Sequence, residues 1–219
     1  MSQSAAEMHT YYAARAPYYD DVYLKPERQQ DIAFLAAHLK SVFAGRQVLE
    51  VACGTGYWTQ HIAATAHRVL ATDGLAEPLA FARIRPANAQ VLFEVADAYT
   101  LPPSLGVFDA AFAGLWFSHV PRARRSEFFR ALHARLQPGA TVVLLDNSTV
   151  QLIDHPLAET DPEGNTYQRR ALRDGSTHRV LKNFPSESEL FAHLKPLVCG
   201  FGFRMLQNFW LLEYRLCEA

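Results

Sequence analysis

The first chemical signal in this chain of 219 residues is a pair of glycines set among three acids. Residues 50–59 read EVACGTGYWT, which puts Gly54 and Gly56 between a Val- and Leu-rich run and a helical pattern. A backbone must turn tightly against a ligand at such a point. A loop that cradles a nucleoside triphosphate needs Gly, Lys and Ser or Thr at its end, and this loop has no lysine. A dinucleotide loop needs a third glycine; that position is Thr59, and Glu50 just upstream is an awkward neighbour for a doubly charged pyrophosphate. A cationic ligand suits that carboxylate better. Asp73 and Asp97 end the next two apolar runs, so both project from the same sheet edge as the glycines. There Asp73 could accept from ribose hydroxyls while Asp97 accepts from an adenine amino group. The plainer alternatives are helix capping for the two aspartates and a buried salt bridge for Glu50. Cys53 reads as a small packing residue, since no adjacent base or CxxC partner activates it.

These residues need a scaffold, and the hydrophobic pattern supplies one. The runs RQVLEVA, RVLATD, VLFEVAD, VFDAAFAG and ATVVLLD are short, and several are apolar on both parities, as strands buried on both faces are. Helical patterns separate most of them. Over residues 27–43, Ile32, Leu35, Leu39 and Val42 share one helical face, and Gly45 ends that helix. Phe128, Phe129, Leu132 and Leu136 keep the helix period until Gln137, Pro138 and Gly139 stop it. Strand and helix in alternation predict an α/β chain with a parallel sheet. The pattern changes over residues 147–185, through polar DPEGN and an RDGST turn that joins two short strands; this segment reads as an inserted cap. Pro185, Ser186 and Glu189 form a capping-box start for a last helix that ends before Pro196, and the tail reads as two strands around a turn.

Composition narrows the field. With 49% hydrophobic and 20% charged residues, the chain can bury a core. Lys plus Arg number 21 against 22 Asp plus Glu, a formal charge of -1, so there is no field for gripping a nucleic acid or an anionic membrane. The longest apolar stretch, residues 110–117, falls short of the ~20 residues a membrane helix needs. The opening MSQSAAEMHTYY has no basic segment followed by an apolar one, so no secretory signal is expected. Cys53, Cys199 and Cys217 form no CxxC pair, which argues against a disulfide framework or a metal site and for a reducing cytoplasm.

The ordered series VLEVACGTG, ATDG, ADAYTLP, FDAAFAG and LHARLQPGATVVLLD resembles the motif set of the class I S-adenosylmethionine-dependent methyltransferases of the small-molecule type. It spans residues 44–146, and the tail is similar to the final hairpin of that family's fold. The resemblance implies a Rossmann-like three-layer α/β sandwich with a seven-stranded mixed sheet whose last strand is antiparallel. To this the chain adds an N-terminal helical lid and the cap. One domain is expected: residues 1–45 as lid and helix, 46–146 as cofactor-binding core, 147–185 as substrate cap, and 186–219 as C-terminal helix and hairpin. The implied cofactor is S-adenosylmethionine, which donates a methyl from its sulfonium and leaves S-adenosyl-L-homocysteine. Carried over by position, Gly54 and Gly56 line the methionine part, Glu50 orients its ammonium, and Asp73 binds the ribose with Gly74 beside it. Asp97 and Ala98 read adenine, Leu75 and Tyr99 sandwich its ring, and the backbone at Gly114 meets the methionine tail. Tyr11 and Tyr19, in YYAARAPYYDD, resemble the aromatic lid that reaches the cofactor carboxylate. One departure is Ala52, where the family's glycine triplet commonly begins.

A methyl acceptor would lie beyond the fourth and fifth strands, against Trp116, Phe117 and Asn147, with Ser118, His119 and Asp146 nearby. That wall is aromatic with few polar handles, so a flat, largely uncharged aromatic or heterocyclic hydroxyl, nitrogen or thiol is expected. His119 is the candidate general base, with a polar helix cap as its plainer reading; a strongly nucleophilic acceptor would need no base. His155 and His178, on the cap, are weaker rivals, and Arg122, Arg124 and Arg125 read as a solvated face. GLWFSHVP after the fourth run lacks the Asn or Asp with two prolines that marks exocyclic-amine methylation, and the chain has no prolyl-cysteine nucleophile motif. A small molecule is therefore the expected partner, with no nucleic acid, no membrane and no metal, in a monomer or homodimer. Two other classes stay open: a nicotinamide-dependent oxidoreductase, and a catalytically silent binding protein of the same fold.

Overall fold

The computed structural model describes residues 3–218. Helices α1 (Gln3–Arg15) and α2 (Gln29–Val42) come first. The five apolar runs then form β1 (Gln47–Val51), β2 (Arg68–Asp73), β3 (Leu92–Val95), β4 (Phe108–Gly114) and β5 (Leu136–Asn147). Between them lie α3 (Thr59–Ala63), α4 (Ala76–Arg83) and α5 (Arg125–His133). The inserted segment forms a small sheet of β6 (Glu159–Thr160), β7 (Thr166–Ala171) and β8 (Thr177–Leu181). Helix α6 (Glu187–Leu194) follows, opened by the predicted capping box of Ser186 and Glu189. Strands β9 (Val198–Met205) and β10 (Phe209–Leu216) close the chain.

The large sheet runs β3-β2-β1-β4-β5-β10-β9, with β1 to β5 parallel and β10 antiparallel to both of its neighbours. The seven-stranded mixed sheet and its reversed last strand are those the motif series implied. The central strands carry apolar side chains on both faces through their middles because each face is covered by helices, with polar residues such as Glu50 and Asp73 toward their carboxyl ends. Leu49, Leu70, Ala111 and Leu144 face the α5 and α6 side, where they pack with Phe128, Leu132 and Leu190. Their neighbours Val48, Val69, Ala110 and Val143 face the opposite side, under Leu35 and Leu39 of α2. Strand order turns between β1 and β4, and the crevice this leaves at the carboxyl edge is where an open α/β sheet holds ligands.

Three local readings differ from expectation. Leu136, placed on the helix by its spacing, instead opens β5 opposite Phe108, and Gln137, Pro138 and Gly139 lie within the strand beside a register shift. Edge strand β3 is not buried on both faces: Leu92 and Val95 are exposed. Cys199 and Cys217 form a disulfide, with Cα atoms 4.9 Å apart. Their separation of 18 residues looks wide in the sequence, but the antiparallel β9–β10 hairpin folds them side by side. Cysteine usage therefore gives no support to a reducing compartment.

Candidate active site

The carboxyl ends of β1 to β4 open into one cavity of about 1080 Å³, walled on its far side by α1 and the cap. At its floor Glu50, on β1, is 1% exposed, and its Oε2 has no partner. Burial, with a contribution from nearby Asp73, pushes its pKa up to about 8 against the pull of Thr59. An acid in this state is a receptor for a cation, whose charge would let the carboxylate ionise. Asp73, at the end of β2, receives the Gly54 and Leu75 backbone N–H groups, each at 2.9 Å. Burial still holds its pKa above the ordinary value. Both carboxylate oxygens keep lone pairs for further donors. Asp97 Oδ1 accepts from the Tyr99 N–H at 2.8 Å, which ties down the turn after β3.

The loop between β1 and α3 owes its shape to left-handed residues. Gly54 has φ +57°, and a Cβ built there would meet nothing within 4 Å, so the backbone stands open to the cavity. Ala52 also adopts φ 57°, which favours glycine. Gly56 serves packing instead: a Cβ there would come within 2.6 Å of Asn88 Nδ2 and 2.9 Å of the Ala82 side chain. At the end of β4, a Cβ on Gly114 would strike Phe112 at 2.8 Å, and Leu115 takes φ 58° as the chain leaves the strand. Backbone strain thus collects at the carboxyl ends of β1 and β4, next to the cavity.

The loop after β4 contains the short helical turn Phe117–His119. His119 is 6% exposed. Its Nδ1 lies 2.5 Å from the Leu181 carbonyl on β8, and a carbonyl can only accept, so Nδ1 carries the proton. Nε2 is then the acceptor for the Tyr12 hydroxyl at 2.8 Å. Burial, reinforced by Lys182 and Arg170, pulls the His119 pKa down to about 3 although Asp146 opposes them. Under this loop lies a fully buried ion pair: Lys182 Nζ donates to Asp146 Oδ1 at 2.8 Å and to Ser118 Oγ at 2.7 Å. Asp146 also receives the Ser118 and Asn147 N–H groups at 2.9 and 2.7 Å. Burial pushes the Asp146 pKa up, but Lys182 outweighs it and the carboxyl stays below its ordinary value.

The segment after α1 is fastened at Asp20 by two partners. Thr55, in the glycine loop, donates to Asp20 Oδ1 at 2.6 Å, and Arg85 pairs with the same carboxylate. Along α1, Tyr12 lines the cavity, as do Tyr19 and Tyr23 beyond the helix. Tyr99 stands opposite with the Arg124 guanidinium 3.5 Å from its ring centroid, and Arg124 is held by two 2.7 Å bonds to Glu127.

Of the residues singled out from the sequence, Tyr19, Glu50, Gly54, Asp73, Gly74, Leu75, Asp97, Ala98, Tyr99, Gly114, Trp116 and His119 line this cavity. Four do not. Tyr11 points away and is buried with Leu172 and Val180, because neighbours on a helix diverge by about 100°. Gly56 packs on α4. Phe117 is 0% exposed, in the core beside Phe128 and Trp210. Asn147 is buried next to Arg28 Nη1, 3.5 Å away. His178 contacts Tyr11, and His155 also lies outside the cavity. Tyr12 and Lys182 were missed: the first was one position off in a YY pair, and a lysine inside a strand gives no sign that a buried aspartate awaits it. Arg124, read as part of a solvated face, is a cavity residue.

The solved DhpI–SAH complex is 32% identical to this chain over 100% of both chains, with a TM-score of 0.77. This chain belongs to the class I S-adenosylmethionine-dependent methyltransferases. A family model for the methyltransferase domain matches residues 48–139. The DhpI–SAM–HEP complex is also 32% identical, over 98% of this chain and 99% of that one, with a TM-score of 0.77. Likeness of fold alone extends to the PH0226 protein of Pyrococcus horikoshii OT3, at 17% identity over 88% and 92% of the two chains, TM-score 0.69. No curated protein sequence matches the chain. As a methyltransferase it takes its methyl group from S-adenosylmethionine and leaves S-adenosyl-L-homocysteine. No helix among the described residues is long and apolar enough to cross a membrane.

Proposed function

We propose that this methyltransferase alkylates an O, N or S atom of a small acceptor with a planar aromatic or heterocyclic part, seated between Trp116, Tyr12 and His119. The observation that carries the donor side is the orphaned, buried Glu50 carboxyl beside an open Gly54 backbone, which fits a cationic amino-acid moiety. When bound, S-adenosylmethionine would supply an activated methyl on a positively charged sulfur, a leaving group that an acceptor lone pair displaces as a neutral thioether while the new bond to carbon forms. Glu50 holds the ammonium, Asp73 accepts from the ribose, and the turn at Asp97 and Ala98 reads the adenine. Leu75 and Tyr99 cover the ring faces, with Arg124 stacked outside Tyr99. The aromatic surfaces of Tyr12, Tyr19 and Trp116 support a flat acceptor and exclude water from it.

Tyr12 and His119 form a short proton relay. The Tyr12 hydrogen is committed to His119 Nε2, so the Tyr12 oxygen is left to accept from an acceptor hydroxyl or amine. His119 is too weak a base to ionise a hydroxyl beforehand. The acceptor becomes far more acidic as its new bond forms, and the imidazole then takes the proton. A radiolabelled methyl-transfer assay over aromatic and heterocyclic hydroxyls, amines and thiols tests this reading. Turnover of at least one class is expected, with kcat reduced in His119→Ala and Tyr12→Phe while donor affinity holds. A blank panel, or an unchanged kcat in both variants, would sink the acceptor-side assignment.

A further inference from the structure

Three arginines from three separate elements gather behind the tyrosines of the lid. Arg15 ends α1, Arg28 belongs to the turn Pro26–Arg28 ahead of α2, and Arg170 lies on β7 of the cap. Arg28 and Arg170 are 5% and 6% exposed. No described carboxylate lies within 4 Å of any of the three guanidiniums. The nearby acids are engaged elsewhere: Asp146 pairs with Lys182, and Glu27 and Asp154, whose charges reach Arg28, pair with Lys25. The other polar contacts are neutral: Arg28 has Asn147 Oδ1 at 3.5 Å, Arg170 has Gln168 Oε1 at 3.1 and 2.7 Å, and Arg15 has the Tyr11 hydroxyl. Arg15 Nε and Arg28 Nε are buried without any partner.

The three charges converge. The Arg15 guanidinium lies 5.3 Å from the Tyr19 ring, which itself lies 6.1 Å from that of Tyr12. Arg28 touches Asn147, the residue after Asp146 at the end of β5. The fields of Arg15 and Arg170 both reach the Tyr12 and Tyr19 phenols, and Arg170 also acts on His119. Burying three cations without a counter-charge is costly, and a fold keeps such a cluster when a ligand supplies the missing charge. A guanidinium's planar fork of donors matches the oxygens of a carboxylate or phosphoryl group.

We infer that the methyl acceptor carries an oxyanion, a carboxylate or a phosphoryl group, which the charges of Arg15, Arg28 and Arg170, gathered behind the cavity-lining ring of Tyr19, draw to that side of the cavity, turning the nucleophilic atom toward Tyr12 and His119. This rests on the acceptor reading above and revises one part of it: the flat molecule is anionic rather than uncharged. An anion there also explains why the wall read from the sequence had few polar handles. The handles come from the lid and the cap, outside the stretches that carry the motifs.

The test is competition at the acceptor site of the full chain preloaded with S-adenosyl-L-homocysteine, using inorganic phosphate, benzoate and neutral benzyl alcohol as probes in titration calorimetry. Phosphate, benzoate or both should bind, with affinity falling as ionic strength rises, and benzyl alcohol should bind at least tenfold more weakly than the better anion. Preference between the two anions names the oxyanion. Arg28→Gln and Arg170→Gln should each lower anion affinity tenfold or more at unchanged S-adenosyl-L-homocysteine affinity. Arg15→Gln, at a half-buried position, gives the same readout should the buried variants fail to fold. Anion affinity that is absent in the wild type, or unchanged in the variants that fold, overturns the inference. Failure to bind S-adenosyl-L-homocysteine at all would instead strike the donor-site reading.

Discussion

Glu50 shows how one buried acid can set the terms of binding. In the free protein it stays protonated up to about 8, so a ligand ammonium that docks on it must first displace that proton. Binding of S-adenosylmethionine near neutrality should therefore release a proton, seen as a binding heat that varies with the ionisation heat of the buffer. Affinity should rise with pH toward 8 as the carboxyl ionises by itself. Glu50→Gln should abolish the release and weaken binding about tenfold or more, roughly 1.4 kcal/mol; a wild-type proton count of zero would remove Glu50 from the ammonium site. Gly54, Asp73 and Asp97 were legible because each follows its own strand, and a parallel sheet collects strand ends at one edge. Tyr12 was not, since YY leaves the phase of α1 open by one residue and only the packing of Tyr11 on Leu172 and Val180 fixes it. The three arginines were still less visible: nothing in the local sequence of residues 15, 28 or 170 says that they meet.

At the level of elements, the buried Lys182–Asp146 pair fastens β8 of the cap to the end of β5 and, through Ser118, to the loop after β4. Removing one partner leaves an unpaired buried charge, so Lys182→Met should cost about 3–5 kcal/mol in urea unfolding. Asp146→Asn added to it should recover part of that loss. Equal loss in the single and double variants would mean that the pair does not act as a unit. The strands and the capping box of α6 were readable because periodicity and capping are local rules. The cap's orientation was not, since it depends on a lysine finding an aspartate 36 residues away. The disulfide escaped for the same reason: a hairpin, not a spacing motif, brings Cys199 to Cys217.

For the molecule as a whole, burial has consequences in acid. His119 is held neutral down to about 3, and His133 and His155 down to about 4, chiefly by burial. In the unfolded chain each takes up a proton below ~6.5. Their folded values are depressed, so the unfolded state binds more protons throughout that interval, and stability falls as pH drops from 6.5 toward 4. Glu50 acts in the opposite sense: the folded state keeps its proton up to about 8 while the unfolded chain has already lost it, so it offsets one of the three histidines below ~6.5 and makes stability fall as pH rises from there toward 8. Thermal melts should therefore peak near ~6.5 and decline steadily below it; a flat Tm from there down to about pH 4.5 would contradict this. The hydrogen bond from Tyr12 to His119 has a different kind of consequence, because one partner belongs to α1 and the other to the loop after β4. On the acceptor-side reading proposed above, any retreat of α1 wide enough to exchange spent donor for fresh also strips the imidazole of its relay. Traffic and reactivity are then mutually exclusive: an open molecule is an idle one, and a potent alkylating agent is handed to its intended recipient behind a closed door.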